Sequence, residues 1–395
     1  MPELWRAVDP SDPVALSAAL DRALSGNGPP VLPLTAGNLP AVLGGDNLPA
    51  GLAGDNLLAG LAGDRDLAVS DGTAAVIVTS GSTGEPKAVE LSAAALRAGA
   101  QATHDRLGGP GQWLLALPLS GIAGLQVLTR SLLAGTEPVA TDPSVRGTAV
   151  AEAISAMTGT RRYAALVPTQ LYRLLGQPDQ AAALAALDGV LLGGAAAGPD
   201  LVERAAGNGV RVVTTYGMTE TCGGCVYDGV PLDRVALALG ADGQIRLAGP
   251  VLFTAYLGRP TLTDEVLQDG WFTTSDLGEL DHDGRLRVLG RADDVVVVGG
   301  RNVALPEVTD RLRQHERISD AWCVGITDPE WGTVVGAVIT GPAVPASDEV
   351  RAWVRAALPG AAVPRIVLAL ADLPMLTNGK VDRRRVERAL VDGAP

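Results

Sequence analysis

Two lysines are the residues of this sequence whose type and setting first suggest chemistry. The chain of 395 residues carries 31 lysines and arginines, yet only Lys87 and Lys380 are lysines. Lys87 ends the stretch VTSGSTGEPK at 78–87, and Lys380 follows Asn378-Gly379, which is a turn signal. Because arginine fills every other cationic position, we expect these two lysines to do something that the planar arginine fork cannot do.

The stretch before Lys87 has the composition of an anion-binding loop. An apolar run at 74–78 precedes small and hydroxyl residues. Glycines let backbone N–H groups approach an anion closely, and the hydroxyls add donors, so a polyphosphate would fit. The stretch is not a Walker A loop, because Lys87 lies three residues after Gly84 and follows Pro86. Taken alone, an ordinary flexible turn is the commoner explanation.

A second stretch, TTYGMTETCGG at 214–224, could hold a nucleotide and a metal ion. The ring of Tyr216 offers a flat face for a base, and the carboxylate of Glu220 offers the hard oxygen that Mg²⁺ prefers. The pair Thr219-Glu220 is also what a capped helix start looks like. On its own, that structural explanation would win.

A third stretch, at 270–294, contains an acidic and a basic side chain on either side of a predicted hairpin turn. The turn is expected at Asp283-Gly284, with Asp276 before it and Arg291 after it. An aspartate at a strand end can accept hydrogen bonds from both hydroxyls of a ribose. Without further support, the stretch would be an ordinary charged hairpin.

The elements that must position these residues alternate between strands and helices. Apolar runs at 74–78, 190–192 and 210–213 each lead into glycines or polar residues, and alanine-rich helical stretches lie at 149–157 and 180–187. Buried strands that alternate with helices predict a largely parallel sheet. Ligands bind at the carboxyl ends of such strands.

The sequence changes character near residue 290, where short strands and two helices, at about 306–315 and 347–358, replace this pattern. We therefore predict an α/β protein in two domains. Residues 1–291 would form a large N-terminal domain of mainly parallel sheets packed by helices. Residues 292–395 would form a small α+β domain.

Composition restricts the partners. A net charge of −13 argues against nucleic acid and anionic membranes, because both require a basic surface. We expect no signal peptide and no membrane span, hence a cytoplasmic protein. Cys222 and Cys225 form a lone C-x-x-C, which we interpret as packing residues rather than a metal or redox site. We interpret the nine-residue repeat at 38–64 as a surface segment.

Taken together and in this order, these stretches resemble the adenylate-forming superfamily of acyl-CoA synthetases, adenylation domains and luciferases. The resemblance covers about residues 74–390. It implies ATP, Mg²⁺ and coenzyme A as ligands and a carboxylic acid as substrate. It places the following residues at ATP: Thr79, Ser80, Gly81, Ser82, Thr83, Gly84, Lys87, Gly194, Ala195, Ala196, Tyr216, Gly217 and Met218.

The same resemblance implies roles for the acidic residues. Thr219 and Glu220 would be catalytic residues at the phosphates, with Glu220 as the magnesium ligand. Asp276 would bind the ribose hydroxyls, and Arg291 would lie near them.

In the C-terminal domain, the resemblance implies motion between two half-reactions. Asp293 would be the hinge of a mobile domain, and Lys380 would bridge the carboxylate and the α-phosphate during adenylation. Gly299 and Gly300 would line the pantetheine tunnel after rotation. Adenylation is needed because a thiol cannot displace oxide from a carboxylate, and both steps build negative charge that a positioned cation stabilises.

Two further blocks, at 104–119 and 216–233, are similar to short actinobacterial o-succinylbenzoate–CoA ligases of menaquinone biosynthesis. The resemblance places Ser120, Gly121, Gly124 and Gly223 in the acyl pocket. Those ligases usually carry an aromatic residue or histidine followed by histidine where this chain has Ser120-Gly121. The acid is therefore o-succinylbenzoate or another aryl or acyl acid.

None of the three histidines replaces the missing pair in sequence. We expect His104 on a helix surface, and His282 and His315 in exposed stretches. The acceptor is coenzyme A or, alternatively, the phosphopantetheine of a carrier protein. The sequence leaves the oligomeric state open, a homodimer included.

Overall fold

A computed structural model describes residues 5–34, 69–80, 86–145, 147–374 and 381–393. The chain divides into two compact units. The first comprises residues 1–237, 246–273 and 282–286, and the second comprises residues 238–245, 274–281 and 287–395. The repeat at 38–64 lies outside the described residues.

The strands occupy short segments along the described chain. They are β1 Arg6–Val8, β2 Val31–Pro33, β3 Thr73–Ser80, β4 Pro86–Ser92, β5 Gln112–Leu115, β6 Val139–Ala140, β7 Arg162–Leu166, β8 Gly189–Leu192, β9 Val212–Met218, β10 Gly223–Tyr227, β11 Val230–Pro231, β12 Ala236–Leu239, β13 Gln244–Ala248, β14 Ala255–Tyr256, β15 Leu267–Gln268, β16 Trp271–Leu280, β17 Leu286–Arg291, β18 Val295–Val298, β19 Arg301–Ala304, β20 Asp320–Asp328, β21 Gly332–Thr340 and β22 Ile366–Leu370.

The helices of the described chain alternate with these strands. They are α1 Pro13–Leu24, α2 Ala93–Arg106, α3 Ile122–Ala134, α4 Ala149–Ser155, α5 Pro168–Leu175, α6 Pro178–Ala185, α7 Pro199–Gly207, α8 Pro260–Val266, α9 Leu305–Arg313, α10 Ser347–Arg355 and α11 Arg383–Asp392. Short 3₁₀ turns lie at Thr219–Thr221, Ala292–Asp294 and Gly360–Ala362.

The first unit contains two mixed sheets. One has the order β1-β2-β3-β4-β14, and the other has the order β11-β10-β9-β8-β7-β5-β6. In the second of these, β5 to β9 are parallel, whereas β10 is antiparallel to β9. The predicted parallel sheet is confirmed. The strand predicted at 210–213 is longer than expected, since β9 continues to Met218 and includes Tyr216.

Apolar side chains between the parallel strands and their helices form the core of the first unit. Leu114, Val190, Leu171 and Leu184 are fully buried there. Strands covered on both faces are continuously apolar, which explains the sequence GVLL of β8. Each fully buried aliphatic side chain stabilises the fold by about 1.5–3 kcal/mol.

A third sheet has the order β12-β13-β16-β15, and β17 pairs with β16. The turn between β16 and β17 spans the predicted Asp283-Gly284, so the predicted hairpin is confirmed. Asp276 lies in the middle of β16, and not at a strand end as the sequence suggested, because the strand continues to Leu280.

The C-terminal part of the second unit combines small sheets with helices. Strands β18 and β19 form a hairpin, while β20, β21 and β22 form a sheet in which β22 is parallel to β21. Helices α9 and α10 confirm the two predicted helices and bury Val308, Leu312, Val350 and Val354 against this sheet. The α+β character predicted for this region is therefore confirmed.

Two of the three histidine predictions are wrong. His104 is 2% exposed, and burial lowers its pKa to about 4, with the nearby Arg130 guanidinium acting in the same direction. His315 is also buried and packs edge-on against Trp353. His282 is exposed, as expected. Within the described ranges, no helix is both long and apolar enough to cross a bilayer.

Candidate active site

Lys87 lies on β4, directly opposite Thr79 of β3. The two residues are register partners, and the Thr79 hydroxyl donates to the Lys87 carbonyl oxygen over 3.4 Å. The intervening Gly81, Ser82, Thr83 and Gly84 lie outside the described residues, and Ser80 is described by its backbone alone. The apolar runs of β3 and β4 thus bring Lys87 back beside the strand that leads into the predicted phosphate loop.

The ammonium of Lys87 lies over the face of an aromatic ring that the sequence did not single out. Lys87 Nζ is 5.0 Å from the ring centroid of Tyr256. The hydroxyl of the same tyrosine donates a hydrogen bond of 2.8 Å to Glu220 Oε1. One buried tyrosine therefore contacts both the cation and the carboxylate that were predicted at the ATP phosphates.

Glu220 is held in a 3₁₀ turn that follows β9. The Thr221 hydroxyl accepts from the Met218 N–H over 2.9 Å and donates to the Gly223 carbonyl over 2.8 Å. Thr219 is buried in the same turn, and the Glu220 carbonyl accepts from Phe253 N–H at 2.8 Å. The turn is a short 3₁₀ segment rather than the capped helix that the sequence alone favoured.

The residues predicted at adenine lie at one edge of the seven-stranded sheet. Gly194, Ala195 and Ala196 follow β8 and are exposed, and Tyr216 lies on the neighbouring parallel strand β9. Gly194 has φ +81°, a conformation that glycine adopts without strain. Parallel strands thus place these residues side by side, as expected for strand carboxyl ends.

Gly217 permits the close pairing of β9 with β10. A Cβ at this position would lie 2.1 Å from the Gly223 carbonyl oxygen, so any side chain would push the strands apart. The pairing keeps Met218 opposite Gly223, at the start of the turn that carries Glu220. The glycine therefore acts on the geometry of the site through backbone packing.

The four residues predicted in the acyl pocket lie around the start of α3. Gly121 is the N-cap residue of this helix, and a Cβ at Gly124 would lie 2.3 Å from the Pro118 carbonyl oxygen. Gly223 has φ +91°, and its missing side chain would point at Gln126 Cγ, 3.6 Å away. The structure thus brings Gly223 of β10 against the helix that Ser120 and Gly121 precede.

Gln126 is a second residue that the sequence analysis missed. It is fully buried, and its Nε2 donates to the Leu96 carbonyl at 3.3 Å. Its Oε1 has no hydrogen-bond partner among the residues that the structure describes. The signal in the sequence was a single polar residue in the apolar run IAGLQVL. A buried polar side chain commonly forms hydrogen bonds with all or most of its polar atoms.

The cysteines on β10 and beside it are buried thiols. Burial is the main factor that raises the pKa of Cys222 and of Cys225, so both remain protonated at neutral pH. Within the described part of the chain, no group of three or more histidine, cysteine, aspartate or glutamate residues could hold a metal ion.

In the second unit, β16 and β17 bring Asp276 and Arg291 together. Arg291 Nη1 lies 3.9 Å from Asp276 Oδ1, and the Asp276 N–H donates to the Thr274 hydroxyl at 3.0 Å. Arg291 Nε is buried and has no hydrogen-bond partner in the described part of the chain. A carboxylate oxygen can accept hydrogen bonds from hydroxyl groups such as those of a ribose.

Asp293 lies in the 3₁₀ turn that follows β17, where its backbone alone is described. Lys380 lies outside the described residues. Among the described residues on either side of it, Asp382 N–H donates to the Pro374 carbonyl over 2.8 Å. Nearby, Arg383 forms an ion pair with Asp294.

Gly299 and Gly300 form the tight turn between β18 and β19, with φ values of +54° and +79°. A cavity of about 350 Å³ adjoins this turn and is lined by Arg301, Trp331 and Arg365. The Arg365 guanidinium lies 4.9 Å from the Trp331 ring centroid. Two cations beside an exposed aromatic ring can bind a phosphorylated nucleotide.

Comparison with known proteins gives this geometry a family context. Residues 40–256 match the AMP-binding enzyme family, and residues 307–380 match the AMP-binding enzyme C-terminal domain. A probable 2-succinylbenzoate–CoA ligase of Mycobacterium tuberculosis is 45% identical over 322 residues, which are 80% of this chain and 84% of the relative.

Two solved structures of o-succinylbenzoate CoA synthetase from Bacillus subtilis are similar to this chain. The complex with the acyl-adenylate intermediate has a TM-score of 0.74 at 26% identity, covering 97% of this chain and 83% of that one. The complex with ATP and a magnesium ion has a TM-score of 0.68 at 27% identity, covering 85% and 74%. The two-part α/β fold is therefore the one that these enzymes share.

Proposed function

The chain belongs to the AMP-binding enzyme family, and from that premise we propose that it is an ATP-dependent acid–CoA ligase acting on o-succinylbenzoate. The observation that carries the choice of acid is the 45% identity to the Mycobacterium tuberculosis ligase over most of both chains. The reaction forms o-succinylbenzoyl-AMP and pyrophosphate, and the coenzyme A thiolate then displaces AMP. The presence of Ser120-Gly121 in place of an aromatic or histidine residue followed by histidine would reshape the acyl pocket and leave this chemistry unchanged.

In the first step, the substrate carboxylate attacks the α-phosphorus of ATP. Thr79 and Lys87, with the glycine and hydroxyl residues at 80–84, would bind the phosphates. Lys380 would neutralise the charge that develops between the carboxylate and the α-phosphate. Tyr216 would pack against adenine, and Asp276 would accept hydrogen bonds from the ribose hydroxyls.

The residues around Glu220 fit a magnesium ion. Its carboxylate supplies a hard oxygen ligand, and phosphate oxygens of ATP would supply others. The hydrogen bond from Tyr256 fixes the orientation of that carboxylate. A magnesium ion held there would neutralise charge on the transferring and leaving phosphates.

Coenzyme A is the acceptor that the second unit favours over a carrier protein. Both thiols end in the same pantetheine arm, but coenzyme A also carries a phosphorylated adenosine. The cavity beside Gly299 offers Arg301, Arg365 and the Trp331 ring to such a group. A carrier protein presents its arm from a serine and has no nucleotide for this cavity.

Replacing Arg365 by alanine is expected to raise the KM for coenzyme A about tenfold while pyrophosphate exchange stays unchanged. The reason is that a charge-assisted hydrogen bond contributes about 1.5–3 kcal/mol. Arg301→Ala should act in the same direction, and neither variant should change the KM for pantetheine.

The control for these variants is Arg313→Ala. Arg313 is an arginine of the same unit that pairs with Asp320 at 2.8 Å and does not line the cavity. Unchanged KM values for coenzyme A in both cavity variants would refute this assignment of the cavity.

The domain arrangement belongs to the proposal as well. We propose that residues 1–291 bind ATP and the acid, and that residues 292–395 rotate about Asp293 between the two half-reactions. A cytoplasmic location is proposed because ATP and coenzyme A are available there. A homodimer stays a prediction from the sequence.

The experiment that tests the function is a panel of carboxylic acids assayed for pyrophosphate exchange and for coenzyme A thioester formation. The proposal expects o-succinylbenzoate to give the highest kcat/KM. A higher value with another aryl or acyl acid would keep the reaction class and replace the substrate.

A further inference from the structure

We propose that Tyr256 is a positioning residue that holds Lys87 and Glu220 in place for Mg·ATP. This inference rests on the proposed function, because that function gives the two charged residues their ligands. Tyr256 touches each of them through a different part of its side chain. The three residues come from β4, from β14 and from the 3₁₀ turn after β9.

The first contact is between the ring face and the lysine. The ammonium of Lys87 lies 5.0 Å from the centroid of the Tyr256 ring, within the range of a cation–π interaction. Lysine is a flexible side chain that loses rotamer freedom when it binds a ligand. A ring face that already restricts the ammonium lowers the entropic cost of placing it on a phosphate.

The second contact is between the phenol and the carboxylate. Tyr256 O–H donates to Glu220 Oε1 over 2.8 Å. The tyrosine is buried, so water does not compete for this hydrogen bond. The hydrogen bond therefore fixes the position of one carboxylate oxygen of Glu220.

Tyr256 itself is held from several sides. It is 3% exposed, it is the register partner of Val89 in β4, and its N–H donates to the Thr263 hydroxyl at 2.9 Å. Its ring packs against Phe253 with the centroids 4.9 Å apart. Phe253 N–H in turn donates to the Glu220 carbonyl. The tyrosine is therefore a rigid support rather than a mobile side chain.

A buried tyrosine that only fills space would show these packing contacts too. What distinguishes a positioning role is that Tyr256 contacts the two charged groups separately, Glu220 through its hydroxyl and Lys87 through its ring face. A partner that orients a metal-binding side chain typically changes metal affinity about 10–100-fold when it is removed. Metal and nucleotide binding should therefore respond separately to the hydroxyl and to the ring.

The test compares Tyr256→Phe and Tyr256→Leu with the wild-type protein, using calorimetric titration with ATP in the absence of any acid. Each protein is titrated once with excess Mg²⁺ and once with a chelator. The phenylalanine variant keeps the ring under Lys87 and loses the bond to Glu220. The leucine variant loses both contacts.

For Tyr256→Phe we expect the gain in ATP affinity that Mg²⁺ produces to fall about tenfold, with metal-free ATP affinity unchanged. For Tyr256→Leu we expect the same fall and, in addition, metal-free ATP affinity lower by about threefold. A Mg²⁺ effect that is unchanged or larger in Tyr256→Phe would overturn the proposal.

The matched control is Tyr227→Phe. Tyr227 is a fully buried tyrosine of the same unit, and its hydroxyl lies 2.9 Å from the Thr103 hydroxyl. This variant should melt at a lower temperature than the wild type, as Tyr256→Phe does. Its ATP affinity should respond to Mg²⁺ as that of the wild type does. An equal loss of the Mg²⁺ response in both variants would contradict the positioning role and indicate that Tyr256 contributes to stability alone.

The same titrations separate this inference from the proposed function. Wild-type protein that binds no ATP, with or without Mg²⁺, would contradict the proposed function itself. Wild-type protein that binds Mg·ATP normally, beside a Tyr256→Phe variant that does so equally well, would contradict only the role of Tyr256.

Discussion

Lys380→Ala is expected to slow adenylation by about 10²–10³-fold while thioester formation from supplied o-succinylbenzoyl-AMP is largely retained. Removing one group that stabilises developing charge typically has an effect of this size. Lys380 would stabilise the negative charge that develops while the carboxylate attacks the α-phosphorus. This attack does not take place in the second half-reaction. Pyrophosphate exchange and the rate of thioester formation from synthetic adenylate measure the two steps separately.

Two further variants sharpen this prediction. Lys380→Arg should restore little activity, because a broad planar fork cannot occupy the place of a compact ammonium. Arg388→Ala, in the exposed part of the following helix, should leave both half-reactions unchanged. Equal losses in both half-reactions of Lys380→Ala would refute the role assigned to this lysine.

Lys87→Ala is expected to raise the KM for ATP by about 10–100-fold, with a smaller effect on the turnover number. A charge-assisted hydrogen bond to phosphate contributes about 1.5–3 kcal/mol, which corresponds to this range. The side chain lies beside the strand that leads into the predicted phosphate loop, so its loss weakens ground-state binding. Steady-state kinetics at saturating acid and coenzyme A measure the effect.

The control for Lys87 is Arg97→Ala. Arg97 is an exposed cation on α2 of the same unit, so its removal changes the net charge equally. The KM of the Arg97→Ala variant for ATP should equal that of the wild type. An unchanged KM for ATP in Lys87→Ala would contradict the phosphate-binding role.

Strands of the first unit could be predicted well from the sequence, because they depend on local patterns. Apolar runs mark β3 and β8, and the turn signal at Asp283-Gly284 marks the hairpin of β16 and β17. The motif around Glu220 was recognisable from residues adjacent in the chain. For these features, neighbours in sequence are also the neighbours that decide the structure.

Tyr256 could not be predicted in the same way. It is followed by Leu-Gly-Arg-Pro, and nothing in that order points to a charged partner. Its contacts with Lys87 and Glu220 arise because β14 pairs with β4, far away along the chain. Contacts that depend on such pairing have no local signature.

The histidines show the opposite error. His104 was expected on a helix surface, and two polar residues, Asp105 and Arg106, follow it in the chain. Helix α2 packs several of its faces, and His104 falls on a buried one beside Arg130. A polar neighbourhood in sequence was a poor guide to exposure for a residue near the end of a covered helix.

The measurement that tests the central claim most directly is pyrophosphate exchange with o-succinylbenzoate, followed by addition of coenzyme A. We predict exchange that depends on the acid and on Mg²⁺, and a coenzyme A thioester released together with AMP. Absence of exchange with o-succinylbenzoate and with every other aryl or acyl acid of the panel, in protein that binds ATP, would contradict the claim.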